Sequence, residues 1–208
     1  MNYSELKTIF MFISDTMTEN KDYLIKLDQQ NGDGDLGISM SNGFKAVSDY
    51  LAEAEETDLG KLFFKASSVF NEAAPSSLGT ILSFCFMGMA QALKDKNDAS
   101  LLEMADAMEF GIKKVMERAG SKPGEKTVLD ALCPGVESLI ANAAQGSMSA
   151  LKSAMIAAKK GSDSTKQMRS VHGRAAYYGD NSIGIIDGGS VAGYLIFEGL
   201  YKYTCSKV

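Results

Sequence analysis

Apolar residues recur at three- and four-residue steps along almost the whole chain. Leu6, Phe10, Ile13 and Met17 make one stripe; Leu101, Ala105, Met108, Ile112, Val115 and Ala119 make another. Residues so spaced share one helical face, which a folded chain turns inward. Helices are predicted at about 4–27, 38–55, 58–73, 78–94, 99–119, 126–144, 147–160 and 189–206. Asp58, Ser77, Ser100 and Ser147 are candidate N-caps, Gly120 and Gly161 fall where helices should stop, and Pro134 should kink the sixth helix. No run of alternating strand pattern, linker or internal repeat interrupts the series. The pattern predicts an all-α bundle formed as a single domain over residues 1–208.

Composition narrows the function classes. With 208 residues and 45% hydrophobic content the chain has enough apolar material for a full core. Its 21 basic and 26 acidic residues give a formal charge of -5, and no dense Lys/Arg run occurs, which argues against a nucleic-acid partner. The most apolar stretch, Ile81 to Leu93, is too short to span a bilayer and contains Gly88 and Gln91, so no membrane partner is expected. The opening Met-Asn-Tyr-Ser-Glu-Leu lacks the basic-then-apolar order of a secretory signal. Cys85, Cys133 and Cys205 are odd in number and widely spaced, and they read as reduced, mainly buried thiols of a cytoplasmic protein.

Candidate chemistry concentrates in Asp28-Gln-Gln-Asn-Gly-Asp33-Gly-Asp35-Leu-Gly37, between the first two predicted helices. Three carboxylates at one turn repel one another unless a hard cation sits between them. Magnesium suits such a set, because it takes few carboxylates and fills its remaining positions with phosphate oxygens. Asp, Asn and Gly are also ordinary turn formers, so a solvated loop is the alternative. An EF-hand fails: a loop starting at Asn31 puts Leu36 where glycine is needed and Asn42 where glutamate is needed. Glycine and hydroxyl residues open several other helices, in Gly37-Ile-Ser39, Pro75-Ser-Ser-Leu-Gly-Thr80, Gly120-Ser-Lys-Pro-Gly124 and Asp187-Gly-Gly-Ser190. Helix N-termini carry unpaired N–H groups and partial positive charge, which suits phosphate, although each loop alone is also plain capping chemistry. Neither a P-loop nor a strand-led G-x-G-x-x-G is present. His172, the only histidine, is more simply a hydrogen-bonded structural residue than a phosphate relay.

Three segments together resemble the L subunit of dihydroxyacetone kinase, the DhaL family. They are the aspartate turn, then Gly124-Glu-Lys-Thr-Val-Leu-Asp-Ala-Leu132, and then Gly173-Arg-Ala-Ala-Tyr-Tyr-Gly179-Asp-Asn-Ser-Ile-Gly184-Ile-Ile-Asp187-Gly-Gly189. They occur in the family's order between about residues 28 and 193. The sequence departs from the usual pattern at Leu36 (commonly His), at the 73–80 loop (commonly Gly-Ala-Ser-Gly), at Val128 (commonly Met) and at Gly188 (commonly Pro).

The resemblance implies an eight-helix antiparallel up-and-down barrel with ADP or ATP at one end. It implies two magnesium ions on Asp28, Asp33 and Asp35, with phosphate oxygens met by Leu36, Gly37, Ile38 and Ser39 at the start of a helix. It further places Ser76, Ser77 and Thr80 at a phosphate or ribose loop, Gly120 and Val128 beside base and sugar, Arg174 on a phosphate, and Asp187, Gly188 and Gly189 on the remaining rim. The implied activity is that of a phosphotransferase with an alcohol acceptor, a glycerone kinase. Its implied partners are a K-type subunit carrying dihydroxyacetone and an M-type phosphohistidine carrier, the phosphotransferase-system donor being favoured over direct use of ATP. Another small sugar, a fatty-acid carrier, or a regulatory role on a transcription factor are the alternatives.

Overall fold

Asn20 breaks the first apolar stripe into two helices. Its side-chain amide donates to Thr16 O at 2.9 Å, competing with the helical ladder at that point. The computed structural model describes residues 1–207 and contains nine α-helices among them. These are α1 (Tyr3–Glu19), α2 (Lys21–Asp28), α3 (Leu36–Glu53), α4 (Leu59–Ala73), α5 (Ser77–Ala92), α6 (Leu101–Ala119), α7 (Leu129–Asn142), α8 (Ser147–Ser164) and α9 (Gly188–Cys205). Short 3-10 segments cover Ala143–Gln145, Thr165–Gln167 and Arg174–Ser182. The all-α expectation holds: among the described residues the sole strand-like feature is an isolated bridge between Asn2 and Asp98.

Each long helix packs on its chain neighbours, and α9 returns to α1, so α1, α3, α4, α5, α6, α7, α8 and α9 close an eight-membered ring. The short α2 lies against the start of α3. The expected up-and-down barrel is thus present, with α1 and α2 as one broken leg. Its interior is aromatic at the centre. Phe10, Phe44, Phe63, Phe70 and Phe86 meet mostly edge to face, with Phe44 and Phe70 centroids 4.9 Å apart and Phe70 and Phe86 5.5 Å apart.

Helix ends show which local signals dominate. Asp58 accepts from Lys61 N at 2.9 Å and Ser100 from Glu103 N at 3.2 Å, as expected. The cap of α5 is Ser76, not Ser77: after Pro75 the chain is extended at Ser76, whose hydroxyl accepts from Gly79 N at 3.1 Å. Likewise α8 starts from Gly146 without a side-chain cap, so Ser147 is its first residue and not its cap. Gly120 ends α6 in the left-handed conformation, with φ 61°. Gly161 ends nothing: α8 runs on to Ser164, and the glycine stands where the Asp130 carbonyl of α7 comes too close for a Cβ. The sixth predicted helix starts three residues late, since Lys126 sits at φ 61°, outside helical space. Pro134 lies inside α7 as expected. Cys85 is buried, Cys133 half-buried and Cys205 exposed.

Backbone proximity sets the α5–α6 crossing, where a Cβ on Gly88 would lie 2.6 Å from Gly111 Cα and one on Gly111 2.5 Å from the Cys85 carbonyl. In an exposed helix, Gly→Ala stabilises by about 1 kcal/mol. At this crossing the sign should reverse: Gly111→Ala is expected to destabilise by about 1–3 kcal/mol through overpacking. Urea unfolding of the two proteins measures it, and a stabilised variant would contradict the crossing.

Candidate functional site

The corner between α2 and α3 is organised around one carboxylate. Asp28 closes α2, and the chain turns so that Gly34 N donates to Asp28 Oδ2 at 2.8 Å and Leu36 N approaches the same oxygen at 3.4 Å. Gly34 holds φ 81°, a conformation costly for any other residue. At Gly32 an added Cβ would strike the Asp28 carboxylate itself. The turn therefore folds over Asp28 and aims Asp33 and Asp35 back at it. One ligand oxygen from each of Asp28, Asp33 and Asp35 lies within 4.8 Å of the others.

Electrostatics at this corner are unfavourable for protein alone. Burial and the neighbouring Asp33 and Asp28 raise the Asp35 carboxyl above its usual range, with Arg174 opposing. Arg174 Nη2 lies 2.8 Å from Asp33 Oδ2, and both side chains remain substantially solvated. One guanidinium against three carboxylates leaves a net negative pocket whose oxygen-only donors suit a hard divalent cation.

A cleft of about 560 Å³ opens beside this corner. Three helices point their N-termini into it: Leu36 opens α3, Ser77 and Leu78 open α5, and Gly188 and Gly189 open α9. The first N–H groups of a helix have no acceptor within it, so the cleft is ringed by donors with partial positive charge. Ser76 Oγ donates to Ser39 Oγ at 3.2 Å, tying the starts of α5 and α3 together. Thr80 lines the same wall and donates to Asn71.

The far wall is the segment between α8 and α9, which brings His172, Gly173, Arg174 and Ala175 to the cleft. Internal bonds shape it. Ser182 Oγ donates to Gly179 O at 2.6 Å and accepts from Ser170 N at 2.9 Å, and Gly184 N donates to Lys166 O at 2.7 Å. His172 Nε2 pairs with Glu125 Oε2 at 2.6 Å, so the histidine is hydrogen-bonded at the edge of the cleft. Asp187 caps α9 by accepting from Ser190 N at 2.6 Å. Burial drives its carboxyl up to about 7, against the pull of the Ser190 N–H and of Lys126.

Most of the expected site residues meet in this one cleft. Asp28, Asp33, Asp35, Leu36, Ser76, Ser77, Thr80, Arg174, Asp187, Gly188 and Gly189 all line it. Gly37, Ile38 and Ser39 continue α3 just behind the wall, with Ser39 buried and Ile38 exposed. Gly120 stands apart as the exposed cap of α6, and Val128 is buried behind Gly189. Two departures from the resembled pattern touch each other: a Cβ on Gly188 would lie 2.6 Å from Leu36 Cδ2, so Leu36 fills the room a proline at 188 would need.

The profile of the DAK2 domain matches residues 30–202. The chain belongs to the DAK2 domain family. Among curated relatives, the ADP-binding subunit DhaL of the PEP-dependent dihydroxyacetone kinase of Escherichia coli (strain K12) is 30% identical over 180 residues, 86% of each chain. A DhaL subunit of Listeria innocua is 29% identical over 188 residues, 90% of each. The triokinase/FMN cyclase of Rattus norvegicus is 29% identical over 198 residues, but this DAK2 chain spans only 34% of that protein. The dihydroxyacetone kinase of C. freundii, solved in complex with AMP-PNP and Mg2+, superposes with a TM-score of 0.76 at 23% identity, over 94% of this chain and 33% of that one, which establishes the shared fold. No helix among the described residues is long and apolar enough to cross a membrane.

The raised Asp187 carboxyl has a pH signature. Its folded value of about 7 exceeds the ordinary 3.8, so between those values the folded state holds a proton the unfolded state has released. The contribution of this group to stability is therefore present at low pH and is lost as pH rises through about 7. In metal-free protein, Asp187→Asn keeps a capping oxygen and removes the titration. Urea midpoints at about pH 5 and about pH 8 should differ less in the variant than in the parent. Equal differences would contradict the raised carboxyl.

Proposed function

We propose that this chain is the nucleotide-carrying subunit of a dihydroxyacetone-type kinase, holding ADP or ATP with magnesium in the cleft. What carries this proposal is the meeting of three carboxylates and three helix N-termini at one opening. Phosphoryl transfer asks a protein chiefly to position the phosphates and to neutralise spread negative charge. Asp28, Asp33 and Asp35 are the residues that would hold two magnesium ions, which supply charge neutralisation across adjacent phosphates when bound. Leu36 to Ser39 and the starts of α5 and α9 offer backbone N–H groups to phosphate oxygens. Arg174 adds a planar cationic fork on the opposite wall.

No nucleophile is required within the chain if the nucleotide itself carries the phosphoryl group. Dihydroxyacetone would then be held by a separate K-type subunit, and an M-type phosphohistidine carrier would recharge the bound ADP. The names of the Escherichia coli and Listeria innocua subunits, matched over nearly their whole length, support the PEP-dependent scheme over direct use of ATP. A cytoplasmic location belongs to the same proposal.

Denaturing the purified chain and identifying what it releases is the decisive experiment. ADP and magnesium are expected in near-stoichiometric amount. Asp33→Asn should abolish nucleotide retention while circular dichroism shows unchanged helical content. Full retention in that variant would overturn the magnesium assignment. Turnover of dihydroxyacetone on adding K-type and M-type subunits is expected as well; a loaded chain that never passes phosphate on would instead be a regulatory module.

A further inference from the structure

Lys126 is 3% exposed, an uncommon fate for a lysine, and its partners are main-chain carbonyls instead of carboxylates. Its Nζ donates to Thr165 O at 2.9 Å, Met168 O at 3.2 Å, Ser182 O at 2.7 Å and Ile185 O at 2.5 Å. Two of these acceptors follow the end of α8, and two lie at and beyond the end of the Arg174–Ser182 segment. The ammonium therefore joins the two feet of the excursion that carries His172 and Arg174 to the cleft. Lys126 itself is held at φ 61° by Asp130, whose carboxylate accepts from Gly124 N at 2.5 Å and Thr127 N at 2.7 Å.

We infer that Lys126 is a positioning residue, a tethered monovalent cation whose carbonyl cage fixes the Arg174 wall and the Asp187 cap in the arrangement that receives phosphate. This inference rests on the nucleotide-carrying function proposed above. Burying an ammonium without a carboxylate partner is costly, and replacing it with an apolar side chain would be the simpler way to fill the space. Burial accordingly pulls its pKa down, partly offset by nearby Asp187. What an apolar side chain cannot do is satisfy four converging carbonyls: Thr165 O would keep the Met168 N–H, but Met168 O, Ser182 O and Ile185 O would lose the donor that the ammonium supplies. Rings of carbonyl oxygens around a single positive charge are how proteins coordinate potassium, so a small cation should substitute for the missing ammonium.

The test uses two full-length variants, Lys126→Met, which fills the space without charge, and Lys126→Ala, which leaves room for a cation. Trypsin reports the wall directly, since Lys166, Arg169 and Arg174 lie on it and are exposed. In nucleotide-free Lys126→Met, cleavage at those three sites should accelerate roughly ten- to a hundredfold, the range expected for lost hydrogen bonds to a charged group. Cleavage at Lys45 and Lys113, on α3 and α6, should stay unchanged, which separates loop release from global unfolding. Nucleotide dissociation should accelerate by a similar factor. Potassium or ammonium ions should restore protection and retention in Lys126→Ala and not in Lys126→Met. A parent that retains nucleotide alongside variants with parental cleavage and dissociation would overturn the role of Lys126 and leave the proposed function standing. A parent that retains none would overturn that function and this inference together. If Lys126→Met does not fold, failure of either cation to protect the Lys126→Ala wall overturns the tethered-cation role.

Discussion

Oxygens of three carboxylates stand within 4.8 Å of one another at the α2–α3 corner, with one guanidinium beside them. Like charges about 4 Å apart repel by about 1 kcal/mol in bulk water and by several-fold more near a protein surface. The fold creates this repulsion. Asp28 is fixed as the end of α2, the turn wraps it through Gly34 N and Leu36 N, and Gly32 leaves no side chain to hold the other two aspartates away. Burial raises the Asp35 carboxyl first, and repulsion from Asp33 and Asp28 adds to the rise. A divalent cation bound there would offset the repulsion, and phosphate oxygens would complete the shell such a cation needs.

The rest of this end of the barrel forms an opening beside the acidic corner. Closure of eight helices into a ring places the N-termini of α3, α5 and α9 on one rim, so their unpaired N–H groups face a common opening. The hydroxyl link from Ser76 to Ser39 fixes two of these starts relative to each other, and Asp187 fixes the third. The remaining wall has no long helix behind it. Besides the His172–Glu125 and Arg174–Asp33 pairs, it is tied by the Ser182 hydroxyl and the Lys126 ammonium, both bonded to main chain. A polar cleft thereby sits at the end of a barrel whose centre is lined by phenylalanines.

The helices were legible because burial follows the 3.6-residue period: Leu6, Phe10, Ile13 and Met17 are all nearly inaccessible in α1. The break at Asn20 was not, since asparagine occurs inside helices too and here its side chain bonds the Thr16 carbonyl. The aspartate turn was legible because its chemistry is contiguous in sequence. The convergence of Ser76, Arg174 and Asp187 upon it depends on tertiary packing, and only likeness to the DhaL pattern anticipated it. Gly120 and Val128, carried over the same way, occupy a helix cap and the core behind the rim. Lys126 and Asp130 were in plain view within a quoted segment, yet no spacing rule reveals that a lysine at φ 61° will be swallowed by four carbonyls.

The central claim is that the acidic corner exists to seat divalent metal against a diphosphate. A crystal grown with ADP and Mn2+, with diffraction recorded for the anomalous signal of manganese, tests it most directly. The account predicts manganese peaks bounded by Asp28, Asp33 and Asp35, with the diphosphate running toward the start of α3. Nucleotide density elsewhere, with the three carboxylates turned to solvent and no peak among them, would contradict it.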